Sequence, residues 1–232
     1  PHSITFSYVD AAGNEGPQSD TPFTFTIDTT APVDTPVLHN VEDDVAPVVG
    51  LVANGGSTND PRPTFTGSGA EPGITVNVYD DGVLIGTATA DGDGNWSFTP
   101  DSDLSEGEHS ITFSYVDAAG NEGPQSGTPF TFTVDTTAPV DVPVLGSAED
   151  DVGSITGPFA SGNTTDDTRP TFNGSGAEPG ITINVYDDGV LIGTATADGD
   201  GNWTFTPDSD LPEGPHSITF SYVDAAGNEG PQ

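Results

Sequence analysis

The chain has 232 residues, carries 37 Asp plus Glu against 2 Arg and no Lys, and has a formal charge of −35. A surface this acidic repels nucleic acid and anionic membrane, because phosphate binding needs clustered Lys or Arg. With no Cys there is no disulfide, no thiolate nucleophile and no Cys-ligated metal. No stretch reaches transmembrane length, so no direct membrane insertion is expected. Acidity alone would also suit a disordered chain, but aromatic and β-branched residues recur at strand spacing throughout.

In chain order, residues 1–27 contain two strand-like runs, "HSITFSYV" and "TPFTFTI". Between Pro36 and Gly50 an irregular stretch is expected to hold one or two short strands. "RPTFTGS", "ITVNVYD", "VLIGTATA" and "NWSFT" follow as strands, separated by turns at "DDG" (Asp80 to Gly82) and "DGDG" (Asp91 to Gly94). In the next "HSITFSYV", Ile111, Phe113 and Tyr115 share one face while Ser110, Thr112 and Ser114 share the other. Phe130, Phe132 and Val134 alternate in the same way. No run has helical period.

The pattern then repeats. Residues 28–125 align with 135–232 without a gap, 78 of 98 positions are identical, and 15 of the 20 differences fall between positions 35 and 61. The period, 107 residues, is that of one small domain. Residues 1–27 match 108–134, so the chain reads as three parts. These are the C-terminal two strands of a preceding repeat (1–27), a complete repeat (28–134), and a repeat lacking its last strand (135–232). The expected fold is all-β, with tandem immunoglobulin-like antiparallel sandwiches of about seven strands each, joined end to end. Trp96 and Trp203 are expected as core pins.

Strand order sorts the loops into two poles. One carries "DTTAP" (Asp28 to Pro32), "AEPG" (Ala70 to Gly73), "DGDGN" (Asp91 to Asn95) and "DAAGNEG" (Asp117 to Gly123); the other carries "EDD" (Glu42 to Asp44), "NDPR" (Asn59 to Arg62), "YDDG" and "PDSDLSEGE". In a tandem array the second pole of one repeat faces the first pole of the next, so carboxylates converge. Like charges brought close oppose one another's ionisation, and oxygen ligands in short Gly-containing loops suit Ca2+ better than Mg2+. Asp28, Glu71 and Asp117 are therefore expected to form an interdomain calcium site, with Asp135, Glu178 and Asp224 as its counterpart. Asp91, Asp93 and the Asn95 carbonyl form a candidate local site, repeated at Asp198, Asp200 and Asn202. "DGDGN" lacks the Glu and flanking helices of an EF-hand, and "EDD" and "PDSD" are equally readable as solvated surface.

Arg62 and Arg169 stand alone among the acids, and a bidentate bond from Arg62 to Asp60 or Glu42 is expected. His2, His109 and His216 are one repeated position at the start of a strand and mark no site. There is no nucleophile elbow, no His-rich centre and no phosphate loop. A small sandwich with short turns also offers a carboxylate pair no cleft, so no enzyme is expected.

The combination of "DTTAP", "RPTFTGSGAEPG", "VYDDGVLIGTATADGDGNWSFTP" and "HSITFSYVDAAGNEGPQS" resembles the bacterial immunoglobulin-like repeats of large biofilm-associated and RTX-type surface adhesins. The resemblance covers the whole chain. It implies a calcium-dependent extender that projects distal adhesive domains from a bacterial cell, outside the cell and exported by type I secretion. It also implies Asp28, Asp135, Glu71, Glu178, Asp117 and Asp224 as junction ligands, with neighbouring repeats of the same chain as partners. Strand exchange between truncated chains is a further expectation, since 19–27 has the sequence of a last strand. Two other readings stay open: a glycan- or protein-recognition module, and an acidic, salt-adapted spacer without specific calcium sites.

Overall fold

The computed structural model describes all 232 residues, and its regular structure is β. No helix is long and apolar enough to cross a membrane. β1 (His2–Ile4) and β2 (Phe23–Phe25) form an antiparallel ribbon, with His2 opposite Phe25 and Ile4 opposite Phe23. A two-stranded ribbon has no core of its own. Phe6, Tyr8, Phe23 and Ile27 are all exposed.

The first sandwich comprises β3 (Val37–Asp43), β4 (Gly50–Leu51), β5 (Gly56–Thr58), β6 (Thr64–Ser68), β7 (Thr75–Asp80), β8 (Val83–Thr89), β9 (Trp96–Phe98), β10 (Gly107–Val116) and β11 (Phe130–Val134). Its sheets run β4-β3-β6-β9 and β5-β11-β10-β7-β8. The second comprises β12 (Leu145–Asp150), β13 (Gly157–Phe159), β14 (Thr171–Gly174), β15 (Thr182–Asp187), β16 (Val190–Thr196), β17 (Trp203–Phe205) and β18 (Ile218–Val223), in sheets β13-β12-β14-β17 and β16-β15-β18. The expected immunoglobulin-like architecture is thus present twice.

Local chemistry explains the hairpins. Asp81 and Gly82 both take positive φ, 48° and 80°, as a two-residue turn of the primed type requires; the Asp-Gly sequence tolerates this where a β-branched residue would not. β7 and β8 shift register between Val78 and Tyr79, and β15 and β16 shift at the matching place between Val185 and Tyr186. The alternation seen in the sequence becomes burial. Ile111, Phe113 and Tyr115 are all buried, and Phe65, Val76, Val78, Phe132 and Val134 are fully enclosed. Each such side chain contributes about 1.5 to 3 kcal/mol by leaving water.

Both tryptophans are core residues. Trp96 lies 5.2 Å from Phe113, and Trp203 lies 5.1 Å from Phe220, measured between ring centroids. Gly67 and Gly174 make room for them, since a Cβ at either position would fall inside the neighbouring indole.

One expectation needs correction, and one strand was not expected. Between Pro36 and Gly50 the expected short strands are present, as β3 and the start of β4. β3 starts at Val37, and β5, with the sequence "GST", lies parallel to β11, Phe132 opposite Gly56 and Val134 opposite Thr58. A three-residue polar strand has no apolar alternation to announce it. The Arg62 guanidinium, moreover, does not grip Asp60 or Glu42. Its Nε meets Asp103 at 3.4 Å in the open, while Asp60 receives the Arg62 backbone N–H at 2.8 Å. Arg169 turns its Nε to the Pro207 carbonyl instead, at 2.8 Å. An exposed pair of this kind adds little stability.

By packing, Asn40–Phe65, Thr99–Ile111 and Phe130–Gln232 cluster as one compact unit, and Pro1–His39, Thr66–Phe98 and Thr112–Pro129 as another. The pole of the first sandwich that carries Asp43 and Asp60 is therefore grouped with the second sandwich.

Candidate functional site

The thrice-repeated "YVDAAGNEGPQ" is a self-capped loop. Asp117 Oδ1 accepts the backbone N–H groups of Ala119 and Asn121 at 2.8 and 2.9 Å, and its Oδ2 accepts the Asn121 amide at 2.8 Å. Gly120 closes the turn at φ 88°, donating to the Asp117 carbonyl. Asp10 and Asp224 do the same work in the other copies. "DGDGN" is this loop again: Asp91 Oδ1 accepts the N–H groups of Asp93 and Asn95 at 2.9 and 2.8 Å, and Asp198 Oδ1 accepts those of Asp200 and Asn202. The shared pattern is Asp-x-x-Gly-Asn, and it recurs five times, at 10–14, 91–95, 117–121, 198–202 and 224–228.

These bonds favour the charged carboxylate. The Asn14 side chain first, then its N–H, holds Asp10 below the ordinary Asp value, and Asn121 does the same for Asp117. For Asp91 and Asp198 the leading cause is the backbone N–H of Asn95 and of Asn202.

The loop also holds the linker that precedes its sandwich. Asn121 Nδ2 donates to the Asp28 carbonyl at 3.2 Å, and Asn228 Nδ2 to the Asp135 carbonyl at 2.7 Å. A Cβ on Gly123 would lie 2.5 Å from the Pro32 carbonyl oxygen, and one on Gly230 the same distance from that of Pro139, so the linker lies against bare backbone. Glu122 is a hub that the sequence did not reveal. It accepts bonds from the hydroxyls of Ser114 and Tyr79 and from the Asn77 amide, and these donors, Ser114 foremost, lower its pKa. Gln125 accepts the Thr112 hydroxyl at 3.0 Å.

The predicted ligands fall as follows. Asp28 and Asp117 are brought together through Asn121, and Asp135 and Asp224 through Asn228. Asp28 Oδ1 accepts the Thr30 N–H at 3.0 Å, and Asp135 Oδ1 accepts that of Thr137 at 3.0 Å. Glu71 and Glu178 offer their carbonyls to Ile74 and Ile181, at 3.1 and 3.2 Å. The Asn95 carbonyl accepts the Asp91 N–H at 2.8 Å, as Asn202 does for Asp198. No three carboxylates or imidazoles gather into a ready-made ligand set.

What seats on the loop is the opposite pole of the first sandwich. A Cβ on Gly227 would lie 2.8 Å from Val48 Cβ, and Ala226, Gly227 and Asn228 are buried, whereas the identical Ala119 and Gly120 are exposed and Asn121 half-exposed. Near that seat the Asp135 N–H donates to the Thr58 carbonyl at 3.0 Å, and Thr58 Oγ1 donates to Asp43 at 2.5 Å. Two buried oxygens on the same pole, Asn59 Oδ1 and Asp60 Oδ2, have no hydrogen-bond partner. Burial, with Asp43 and Asp44 adding repulsion, raises the Asp60 pKa above the ordinary value. Orphaned hard oxygens beside acid groups fit a hard cation.

Residues 40–136 and 142–232 each match the bacterial Ig-like domain, a structural and non-catalytic fold. A search of curated protein sequences gives no significant match. Among solved structures, the FN1–FN3 domains of chicken CNTN1 align with a TM-score of 0.48 at 15% identity, over 98% of this chain and 71% of that one. Fibronectin(III)-like modules of Clostridium thermocellum CbhA align with a TM-score of 0.42 at 14% identity, over 82% and 89%. A tetra-tandem repeat in the extending region of a large adhesion protein aligns with a TM-score of 0.28 at 19% identity, over 98% and 64%.

Proposed function

The chain belongs to the bacterial Ig-like domain family, which matches most of its length, and we propose that it is a stretch of calcium-stiffened extender in a large bacterial surface adhesin. Its task in this reading is mechanical: each sandwich is a rigid spacer, and each Asp-x-x-Gly-Asn loop at a junction is a seat for the pole of the sandwich before it. The adhesin context, the extracellular location, the part in biofilm formation and export by type I secretion belong to the same proposal, and they follow the sequence resemblance.

The observation that carries the reading is the fate of one sequence in two settings. "DAAGNEG" is partly open to solvent at 117–123, and its last copy, at 224–230, buries Ala226, Gly227 and Asn228, with Val48 of the preceding sandwich against it. A loop whose Asp, Gly and Asn hold its own shape, whose Asn holds the linker, and whose Gly leaves space for a neighbour is built for contact between repeats. Asp135, Glu178 and Asp224 on one side, with Asp60 and Asn59 on the other, would hold the ion. Bound there, Ca2+ would supply positive charge to acid groups that otherwise repel, and would satisfy oxygens that water cannot easily reach. Without it, Asp60 and Asp43 are a cost at the junction, and the linker is held by hydrogen bonds alone, from Asn228 to the Asp135 carbonyl, from the Asp135 N–H to Thr58, and from the Thr136 N–H and hydroxyl to Glu106.

Calorimetry tests this. The unfolding midpoint is expected to rise with calcium concentration and not with magnesium, by about 2.7 kcal/mol of stability at a hundredfold excess over Kd. In Asp135→Ala the increment is expected to vanish while the midpoint in EDTA is kept. Equal midpoints in EDTA, calcium and magnesium would remove calcium from the account.

A further inference from the structure

We infer that Asn95 and Asn202 are attachment sites for a sugar, each accepting it through its side-chain amide nitrogen from a diphosphate-activated donor. The chain contains Asn-x-Ser/Thr, the acceptor pattern for such transfer, at four places: Asn95-Trp96-Ser97, Asn163-Thr164-Thr165, Asn173-Gly174-Ser175 and Asn202-Trp203-Thr204. The fold separates them. Asn95 and Asn202 are the exposed last residues of their loops, and β9 and β17 begin at the tryptophans that follow. Alternate residues of an extended segment share a face, so Trp96 turns into the core while Asn95 and Ser97 stand together on the exposed side. Asn202 and Thr204 stand in the same way about the buried Trp203. A transferase must reach the amide and the hydroxyl at once, and this register presents both.

Among the five Asp-x-x-Gly-Asn loops, these two differ in what the Asn amide does. Asn14, Asn121 and Asn228 donate to the Asp carboxylates of their own loops at 2.9, 2.8 and 3.0 Å, and the last two also hold the linker carbonyls. Each of those three is followed by Glu-Gly, which offers no hydroxyl. The amides of Asn95 and Asn202 reach Asp91 and Asp198 only at 3.4 Å, the long limit of a hydrogen bond. Their backbones are fixed all the same, since each N–H donates to that Asp carboxylate at 2.8 Å and each carbonyl accepts the Asp N–H at 2.8 Å. A firm backbone thus carries a loosely held amide in the two loops that also carry the hydroxyl. The other two matches are poorer. The Thr165 hydroxyl is bonded to Asp150 at 2.5 Å, and Asn173 is half-buried. An acid also stands two places ahead of Asn95 and Asn202, at Asp93 and Asp200, a charge that a basic groove can read; Ser161 and Thr171 hold that place before Asn163 and Asn173. Asn95 is the better of the two acceptors, because the Thr204 hydroxyl donates to Asn173 Oδ1 at 2.8 Å.

In the transfer, the amide nitrogen bonds to the anomeric carbon of the sugar, the bond from that carbon to the diphosphate oxygen breaks, and the diphosphate leaves with the electron pair. The amide gives up one proton to a base of the transferase, and no oxidant or reductant is needed. The product is placed where a sheet is open: β9 and β17 are edge strands of their sheets. A bulky, hydrated sugar at the head of each edge hinders pairing between edges, a hazard for a chain built of nearly identical repeats.

Peptide mapping by mass spectrometry, on the protein recovered from the cells that make it and cut at its acidic residues, tests this apart from the extender reading, because it reads attached sugar and not calcium. Sugar is expected on the Asn95 peptide, on a smaller share of the Asn202 peptide, and not on those of Asn163 and Asn173. A single hexose would identify a nucleotide-diphosphate donor, and a preassembled oligosaccharide a lipid-diphosphate one. Ser97→Ala is expected to strip the Asn95 peptide of its sugar while leaving the unfolding midpoint unchanged, and Ser97→Thr to keep the sugar. Bare Asn95 and Asn202 in the wild type overturn the inference, as does sugar on Asn95 that survives Ser97→Ala, or a larger share on Asn163 or Asn173 than on Asn95.

Discussion

Gly107–Ile111 and Gly214–Ile218 share four of five residues, yet the first is strand from its first residue and the second becomes strand only at Ile218. The difference lies in what stands beside them. β11 pairs the backbone of one and encloses its His, and the residues up to Gln232 place no strand beside the other. Strand formation at this edge is thus a property of pairing and side-chain cover rather than of local propensity. The junction loops teach the same lesson, since identical residues are exposed at 118–120 and mostly buried at 225–227.

The comparison can be broken from one side. Phe132→Ala removes the ring that β11 places on Phe65 and His109 and is expected to cost the first sandwich about 3 to 5 kcal/mol, making it resemble the second. Phe25→Ala, the same change in the ribbon, is expected to stay within about 0.5 kcal/mol of the wild type at low protein concentration. Denaturant titration of both variants checks the contrast; similar losses would mean that β2 is already buried.

A second change acts on what the sandwiches share. Gly67→Ala and Gly174→Ala each push a methyl group into a tryptophan ring and are expected to destabilise their own sandwich by about 1 to 3 kcal/mol. Calorimetric traces should show one transition moving in each variant. A variant with unchanged midpoints would mean that the indole has room to shift.

The smallest effects are those of pH. Asp10, Asp91, Asp117 and Asp198 have folded values below the ordinary 3.8. Their contribution is complete above 3.8 and is lost as pH falls through the lower folded values, so the melting temperature is expected to fall on acidification below about pH 4. His216 has the opposite sign. The Pro212 carbonyl first, and then Asp187, raises it above 6.5, so its contribution is complete below 6.5 and is lost as pH rises through the folded value. His216→Gln is expected to flatten the neutral part of the melting profile and leave the acid part alone; an unchanged neutral slope would show that the His216–Asp187 pair adds nothing.

Much of this was legible. The alternation in "HSITFSYV" gave a strand, the Asp-Gly pair gave a hairpin, and the 107-residue period gave the tandem arrangement. The sequence placed Asp117 and Asp28 at one pole, and there the Asn121 amide bonds the Asp117 carboxylate and the backbone carbonyl of Asp28. What it hid was long-range. Glu122 looks like one more surface acid until Tyr79, 43 positions away, donates to it. β5 is three polar residues whose strand character comes from lying beside β11. The Asp-x-x-Gly-Asn spacing was open to reading, because it recurs in "DAAGN" and "DGDGN". Its carboxylates looked like free ligands because hydrogen bonds to the backbone leave no trace in composition. Arg62 departs from expectation for the same reason, since proximity in sequence to Asp60 puts the backbone N–H, rather than the guanidinium, in reach.

The most direct measurement of the central claim is small-angle scattering of the 232-residue chain in EDTA, in a few millimolar calcium and in magnesium, at moderate NaCl. The account predicts that calcium alone lengthens and stiffens the particle, and that Asp135→Ala abolishes the change. Identical curves in EDTA and calcium would contradict it and leave "DAAGNEG" as a loop that caps itself and holds its own linker.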